Sequence, residues 1–166
     1  MSVVAVKIYD KNITMSADSI IIHGEADKTP IGKGKIFEIN NMIIGTAGYA
    51  SEGAYLSMFA ENHTPLDSTE RAMNEFIAEF ASWKYKMFGA SQTIENQYLI
   101  AYKDKCFYIG GNYVAEVSEY YAIGYGHQFA EAALHLGHSP QEAVKVACDL
   151  CCFVAEPIVT KSLPRN

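Results

Sequence analysis

The sequence predicts an α+β fold in which two antiparallel sheets are flanked by two helix pairs, a four-layer αββα sandwich. Strand-like segments come in adjacent blocks and do not alternate singly with helices, which is typical of antiparallel sheets. Helix-like segments come in two pairs, one near the middle of the chain and one near its end. No linker, repeat or low-complexity segment divides the 166 residues, so we expect a single domain over residues 1–166.

The composition excludes several classes of protein. Hydrophobic residues make up 49% of the chain and charged residues 19%, which is typical of a folded globular domain and not of a disordered chain. The net charge of −6 gives no basic surface for a nucleic acid. There is no basic leader and no apolar run of about 18 residues. We therefore expect a cytoplasmic protein with neither a nucleic acid nor a membrane as partner.

Two hairpins are predicted in the first part of the chain. Residues 3–9 and 13–18 are strand-like and separated by a polar turn, and strict alternation places Asp18 at the end of the second strand on its polar face. We interpret residues 19–33 as a polar stretch and predict no strand there. Asn40 and Asn41 then form a pair suited to a two-residue turn between strands at residues 36–39 and 42–44.

The first helix pair is predicted over residues 50–62 and 68–87. The second of these helices has side chains at the i, i+3, i+4, i+7 spacing of one helix face, and they are Met73, Phe76, Ile77, Phe80, Lys84 and Met87. Asp67 is the predicted N-cap, with Glu70 three residues later. Both helices are therefore expected to bury one side against a sheet.

Strand patterns return at residues 97–102, 106–109, 113–116 and 121–123. A helix is then predicted from His127 to about residue 136, where Gly137 ends it. Ser139 and Pro140 begin the next helix as N-cap and first helical residue. A short strand near Ile158 completes the predicted order.

Metal and thiol chemistry are not predicted. Three of the four cysteines crowd into residues 148–152, inside a predicted helix, without the partner ligands of a zinc site. Free, largely packed thiols in a reducing compartment are the better interpretation. The five histidines lack metal-ligand spacing, so we expect no metal and no cofactor.

Several short motifs occur in an order that resembles a known family. They are Met15-Ser16-Ala17-Asp18-Ser19, Gly34-Lys35-Ile36-Phe37, Ile44-Gly45-Thr46-Ala47-Gly48, Tyr121-Ala122-Ile123-Gly124-Tyr125-Gly126 and Glu142-Ala143-Val144-Lys145. Together they resemble the proteasome β-subunit family, and in particular the HslV-like peptidase subunits of bacterial two-component ATP-dependent proteases. The resemblance extends over nearly the whole chain. It implies the αββα fold of the N-terminal-nucleophile hydrolases, the same layering that the strand and helix patterns predict.

The resemblance also implies roles for individual residues. Ser2 matches the N-terminal nucleophile, and Asp18 follows it by 16 residues, the spacing of the family. Lys35 matches the family's motif lysine, and Gly48 matches the glycine whose amide binds the oxyanion. A free α-amine at Ser2 would accept the hydroxyl proton near neutral pH. We therefore expect the functional chain to begin at Ser2, after removal of Met1.

The resemblance further implies that Thr46 and Ala50 shape the substrate pocket. It implies homo-oligomeric stacked rings, fed with unfolded polypeptide by a ring-shaped ATPase unfoldase. The chain departs from the family in its serine nucleophile, and in Tyr125 where relatives have a serine. Two hypotheses follow: a peptide-bond hydrolase, or a catalytically silent subunit that keeps the ring-forming fold.

Overall fold

A computed structural model describes residues 2–23, 27–30 and 34–165. The strands are β1 (Val3–Ile8), β2 (Asn12–Asp18), β3 (Ile20–His23), β4 (Asp27–Pro30), β5 (Ile36–Ile39), β6 (Met42–Ala47), β7 (Gln97–Tyr102), β8 (Lys105–Gly110), β9 (Tyr113–Glu116), β10 (Tyr120–Gly124) and β11 (Ile158–Pro164). The helices are α1 (Ala50–Ala60), α2 (Glu70–Phe88), α3 (His127–His135) and α4 (Pro140–Leu150).

The strands form two large antiparallel sheets. One has the order β10-β1-β2-β11, and the other has the order β5-β6-β7-β8-β9. In the first sheet, Val4 pairs with Ala17 in the antiparallel β1–β2 pair, so the start of β1 and the end of β2 lie at the same end of the sheet. In the second sheet, Ala47 at the end of β6 pairs with Gln97 at the start of β7.

Three apolar clusters hold four layers together, as the sequence predicts. Helices α1 and α2 pack on the five-stranded sheet through a cluster that includes Phe59, Phe76 and Phe107. Val4 and Met15 meet Leu99 between the two sheets. Helices α3 and α4 cover the outer face of the four-stranded sheet through small residues such as Ala133, Ala143 and Ala147. The predicted αββα sandwich is therefore confirmed.

Local turn chemistry explains how several elements begin and end. Asn40 and Asn41 have φ of 48° and 60°, so the predicted asparagine turn of the β5–β6 hairpin is confirmed. Ser139 forms a capping box with Glu142 and begins α4 with Pro140 in its first turn, also as predicted.

The structure corrects three local predictions. The stretch 19–33, predicted to be polar and without strands, contains a further pair of strands, β3 and β4, because Ile20-Ile21-Ile22 is a run of β-branched residues that favours a strand. The N-cap of α2 is Thr69, whose side chain accepts from the Ala72 N–H, while Asp67 accepts hydrogen bonds from Thr69. The predicted short strand near Ile158 extends over seven residues and pairs with β2 along its whole length.

Candidate active site

Asp18 ends β2 with a fully buried carboxylate that joins two parts of the chain. One oxygen, Oδ1, accepts a hydrogen bond from the Val3 N–H at 2.9 Å. The other, Oδ2, accepts from Lys35 Nζ at 2.7 Å. The Asp18 carboxylate therefore holds the peptide that directly follows Ser2 and, at the same time, the lysine ammonium.

Lys35 lies immediately before β5, and its backbone carbonyl accepts from the Thr46 N–H at 2.9 Å, which ties it to the end of β6. Its side chain is only 9% exposed. We call Asp18 and Lys35 the site pair. Burial raises the pKa of Asp18 and lowers the pKa of Lys35, against the mutual attraction that favours both charges. The site pair is thus an ion pair whose charges are held at an energetic cost, as is common where protons are transferred.

Ser2 precedes β1 and is buried, with 3% of its surface exposed. Its carbonyl oxygen accepts from the Gly126 N–H at 3.2 Å. Gly124 lies against the same carbonyl: its φ is +87°, and a Cβ on Gly124 would overlap the Ser2 oxygen. The motif around Tyr125 therefore supplies the close backbone approach that fixes Ser2, and Gly124 tolerates no side chain there.

A cavity of about 930 Å³ opens on one side of Ser2. Lys35, Gly48, Thr46 and Ala50 all line it, so the structure brings the sequence-predicted site residues together around one space. The rest of its wall is largely apolar and includes Ile20, Ile21, Ile36, Phe37, Ala54 and Met58. Asp18 is connected to this space through its hydrogen bond with Lys35, which lines it.

Ser2 and Gly48 also line a second cavity, of about 630 Å³. Its walls are more polar and include Glu95, Gln97 and His127. Tyr125 lines this second cavity, with its ring edge-on to Phe153 at 4.6 Å between centroids. The Tyr125 phenol thus borders the second cavity and packs on a neighbouring ring.

Gly48 follows β6 and begins a tight turn into α1, which we call the Gly48 turn (residues 48–49). Its φ is +140°, and a Cβ at this position would overlap Asn96 Oδ1. A glycine is therefore required for two reasons, the backbone conformation and the asparagine side chain pressed against it. Gly48 is exposed and lines both cavities.

A buried polar network behind this turn was not predicted from the sequence. The Asn96 side chain accepts from the Tyr49 N–H at 2.6 Å and donates to the Tyr49 carbonyl at 2.8 Å and to Thr46 Oγ1 at 3.1 Å. The Asn96 N–H in turn donates to Glu52 Oε1 at 2.9 Å, and Glu52 is ion-paired with Lys84. We call Glu52 and Lys84 the support pair.

The sequence carries a signal for one member of the support pair, the lysine. Lys84 falls on the apolar face of α2, four residues after Phe80, where a charge has to find a buried partner. The partner, Glu52, lies 32 residues earlier on α1 and looks like an ordinary first-turn acid. No spacing rule connects two helices in this way, so the sequence alone identifies the lysine and not its partner.

Taken together, the site offers a serine hydroxyl, a lysine–carboxylate pair and an exposed glycine amide around one apolar cavity. Met1, whose removal we predict, lies outside the described residues. Among the described residues, no three His, Cys, Asp or Glu side chains group in a way that could hold a metal ion. In the same part of the chain, no helix is both long and apolar enough to cross a membrane.

Comparison with known proteins supports the fold assignment. No family model and no curated protein matches the sequence. Among solved structures, Thiobacillus denitrificans BPH matches with a TM-score of 0.88 at 17% identity, covering 98% of this chain and 97% of that chain. The same protein in complex with epoxomicin matches with a TM-score of 0.87 at 18% identity, covering 98% of each. Eukaryotic HslV from Trypanosoma brucei matches with a TM-score of 0.77 at 20% identity, covering 98% and 99%. The chain therefore has the HslV-like fold that the motifs predict.

Proposed function

We propose that this chain is the peptidase subunit of a self-compartmentalising, HslV-like or proteasome-like protease. Ser2 is its N-terminal nucleophile once Met1 is removed. The observation that carries the proposal is the Asp18 carboxylate, which joins the Val3 N–H to the Lys35 ammonium next to Ser2. Such a pairing fixes the nucleophilic residue and places a positive charge beside it, which is what activation of an N-terminal hydroxyl requires.

In the first step, the free α-amine of Ser2 takes the proton from Ser2 Oγ, which attacks the carbonyl carbon of the scissile bond. The carbonyl π electrons move to oxygen, and the resulting oxyanion accepts a hydrogen bond from the Gly48 N–H. The Lys35 charge disfavours prior protonation of the amine, so that the amine is available as a base. Asp18 keeps Lys35 in position for this task.

In the second step, the carbon–nitrogen bond breaks and the departing nitrogen receives the proton that the α-amine took up. The product that remains is an ester between Ser2 Oγ and the acyl part of the substrate. Water then attacks this ester with the same amine as base, which releases a carboxylic acid and restores the hydroxyl. No cofactor takes part in either step.

Ser2 and Gly48 line two cavities at once, which suits a polypeptide that occupies both spaces as it passes the nucleophile. The larger cavity, with Thr46 and Ala50 in its wall, takes the side chain on the acyl side of the scissile bond. Its isoleucines, Phe37 and Met58 favour an apolar side chain there. The substrate is therefore unfolded polypeptide with apolar residues before the bonds that are cut.

Assembly into stacked homo-oligomeric rings, fed by a ring-shaped ATPase unfoldase, belongs to the same proposal. The monomer exposes several tyrosines around β9 and β10, such as Tyr113, Tyr121 and Tyr125. Aromatic side chains with a polar tip are favoured at subunit contacts. Light scattering should give a mass several times the 18.3 kDa of one chain. A monomer or a simple dimer at micromolar concentration would contradict this part.

The activity is tested with protein whose intact mass shows that Met1 is absent. We expect hydrolysis of a fluorogenic peptide with an apolar residue before the scissile bond, and none by Ser2→Ala. Epoxomicin, the compound bound in the Thiobacillus denitrificans BPH structure, should add its mass to the wild-type chain and not to Ser2→Ala. Rings that begin at Ser2 yet neither cleave peptide nor bind epoxomicin would establish the alternative, a catalytically silent ring subunit.

A further inference from the structure

We propose that Asn96 is a positioning residue that holds the Gly48 turn in its oxyanion-binding geometry, and that the support pair, Glu52 and Lys84, fixes Asn96 in turn. The inference rests on the proposed function, since it assigns a task to the Gly48 N–H. Asn96, Glu52 and Lys84 are not among the described residues that line the two cavities. Their influence on the reaction is therefore exerted through the turn and not by contact with substrate.

Asn96 immobilises the turn because its side chain binds both backbone polar groups of Tyr49. Its side-chain oxygen accepts from the Tyr49 N–H at 2.6 Å, and its side-chain nitrogen donates to the Tyr49 carbonyl at 2.8 Å. The same nitrogen donates to Thr46 Oγ1, two residues before Gly48. Gly48 is thus enclosed between two anchored residues, which fixes the direction of its N–H. An amide is the one side chain that supplies this acceptor and both donors.

Asn96 is also pressed against Gly48 itself, since its Oδ1 and Cγ occupy the space that a side chain at position 48 would need. Asn96 is 1% exposed, so water does not compete for these hydrogen bonds. In such surroundings each bond is stronger than at the surface, and an unpaired polar group is costly. The turn therefore has a single favourable conformation as long as Asn96 stays in place.

The support pair fixes the backbone from which Asn96 projects. Glu52 accepts from the N–H groups of Glu95 and Asn96, at 3.1 Å and 2.9 Å to its Oε1, and from the Tyr98 hydroxyl at 3.1 Å. Lys84 donates to Glu52 and to the Thr93 carbonyl at 2.8 Å. The segment that leads into β7 is thereby tied to both α1 and α2. The geometry of the Gly48 turn depends in this way on residues of two helices.

The kinetic test uses Asn96→Asp, which keeps the shape of the side chain and its acceptor for Tyr49 but removes the donors. A carboxylate oxygen then faces the Tyr49 carbonyl and pushes the turn away. We expect kcat for the fluorogenic peptide to fall by about 10-fold to 100-fold, with KM within about two-fold, because misplacement of a catalytic group slows the chemical step and leaves binding intact. The matched control is Asn74→Asp on the exposed part of α2, where the side chain donates only to the Glu70 carbonyl. It should leave both constants unchanged.

A second measurement follows the turn without reference to activity. Hydrogen–deuterium exchange of a peptide that covers residues 46–52 reports the protection of the Tyr49 N–H, which Asn96→Ala should reduce in a folded chain. The exchange measurement also tests the role of Asn96 separately from the proposed peptidase function. A wild-type chain that starts at Ser2 and is inactive contradicts the proposed function, while the exchange data still decide what Asn96 does.

Three results would overturn the inference. They are unchanged kcat in Asn96→Asp, a rise in KM with kcat preserved, and unchanged exchange at residues 46–52 in Asn96→Ala. If Asn96→Ala does not fold, exchange is measured on Asn96→Leu, whose branched side chain has a similar shape but offers no acceptor to the Tyr49 N–H. Loss of kcat together with loss of protection supports the inference.

Discussion

Among the residues that the structure describes, two lysine–carboxylate pairs are buried, and they differ in their surroundings. In the site pair, Lys35 Nζ lies 2.7 Å from Asp18, and in the support pair Lys84 donates to Glu52. Both lysine side chains are less than a tenth exposed. Lys35 opens onto the larger cavity, whereas Lys84 is enclosed among α1, α2 and the segment before β7.

The pKa directions separate the two pairs. For Asp18, burial prevails and raises the pKa, even though Lys35 and two backbone N–H groups act in the opposite sense. For Glu52, burial also acts to raise the pKa, but hydrogen bonds from Lys84, Asn96 and Glu95 outweigh it and hold the pKa below its usual range. Hydrogen bonds thus favour the charged form of Glu52 strongly enough for an architectural ion pair, whereas at Asp18 burial prevails, a condition that is frequent at sites of proton chemistry.

The largest effect is expected from Lys35→Met. The substitution leaves Asp18 buried without its cationic partner, which should destabilise the fold by about 3–5 kcal/mol. It also removes the charge beside the Ser2 amine, so peptide hydrolysis should fall by about 10²-fold to 10⁴-fold. Urea unfolding and the fluorogenic peptide assay measure the two losses.

Two companion variants sharpen this test. Lys161→Met removes a more exposed lysine, paired with Glu38, and should change neither quantity measurably. Adding Asp18→Asn to Lys35→Met should recover stability without recovering activity, because the buried charge is gone but the site remains incomplete. Turnover of Lys35→Met near the wild-type rate would reduce the site pair to a structural ion pair.

Lys84→Met should lower stability about as much as Lys35→Met does, but it should lower peptide hydrolysis far less. A loss of about 3 kcal/mol in the free energy of unfolding is expected because Glu52 stays buried without its partner. Hydrolysis should fall by only about 10-fold, through looser positioning of the Gly48 turn. Equal losses of activity in Lys84→Met and Lys35→Met would remove the distinction between the pairs.

Much of the architecture could be predicted because its causes are local. The asparagine turn of β5–β6 and the capping box of α4 depend on a few adjacent residues, and both occur as predicted. The β3–β4 ribbon differs from the prediction although Ile20-Ile21-Ile22 is a local strand signal. Its partner strand, Asp27–Pro30, is polar and has no such signal, so only β3 could have been predicted from the sequence.

In the candidate site, too, the residues that lie in short sequence motifs could be predicted, and those brought together only by the fold could not. Ser2, Asp18, Lys35 and Gly48 were singled out by resemblance to motifs, and the structure places them around one cavity, with Asp18 connected to it through Lys35. Asn96 and Glu52 belong to no such motif and are 44 residues apart. Their task comes from three-dimensional contact alone, so the sequence could not assign it.

The two pairs should respond to acid with opposite sign. The folded pKa of Glu52 lies below its ordinary value of 4.5, so its stabilisation is present above 4.5 and is lost as pH falls through the folded pKa. The folded pKa of Asp18 lies above its ordinary value of 3.8, so its contribution is fully present below 3.8 and is lost as pH rises through the folded pKa.

This difference predicts two changes in the plot of unfolding free energy against pH. Glu52→Gln should flatten the decline on acidification, and Asp18→Asn should make it steeper, when urea unfolding is followed from about pH 7 to about pH 3. Parallel curves for the two variants would contradict the contrast between the pairs.

The smallest effect is expected from Cys148→Ser, which asks whether a thiol contributes to the chemistry of the site pair. Cys148 lies on α4, half-buried, and burial raises the pKa of its thiol to about 11, with the Asp18 charge adding to the shift. The thiol is therefore protonated at neutral pH and is a poor nucleophile.

We expect peptide hydrolysis by Cys148→Ser to stay within about two-fold of wild type, since a hydroxyl preserves the shape of the side chain. Cys152→Ser is the matched control, since it makes the same change at an exposed position four residues later and should leave hydrolysis unchanged. A large loss of activity in Cys148→Ser alone, or inactivation of wild type by an alkylating reagent that modifies Cys148, would show that the thiol and not only the Ser2 hydroxyl takes part.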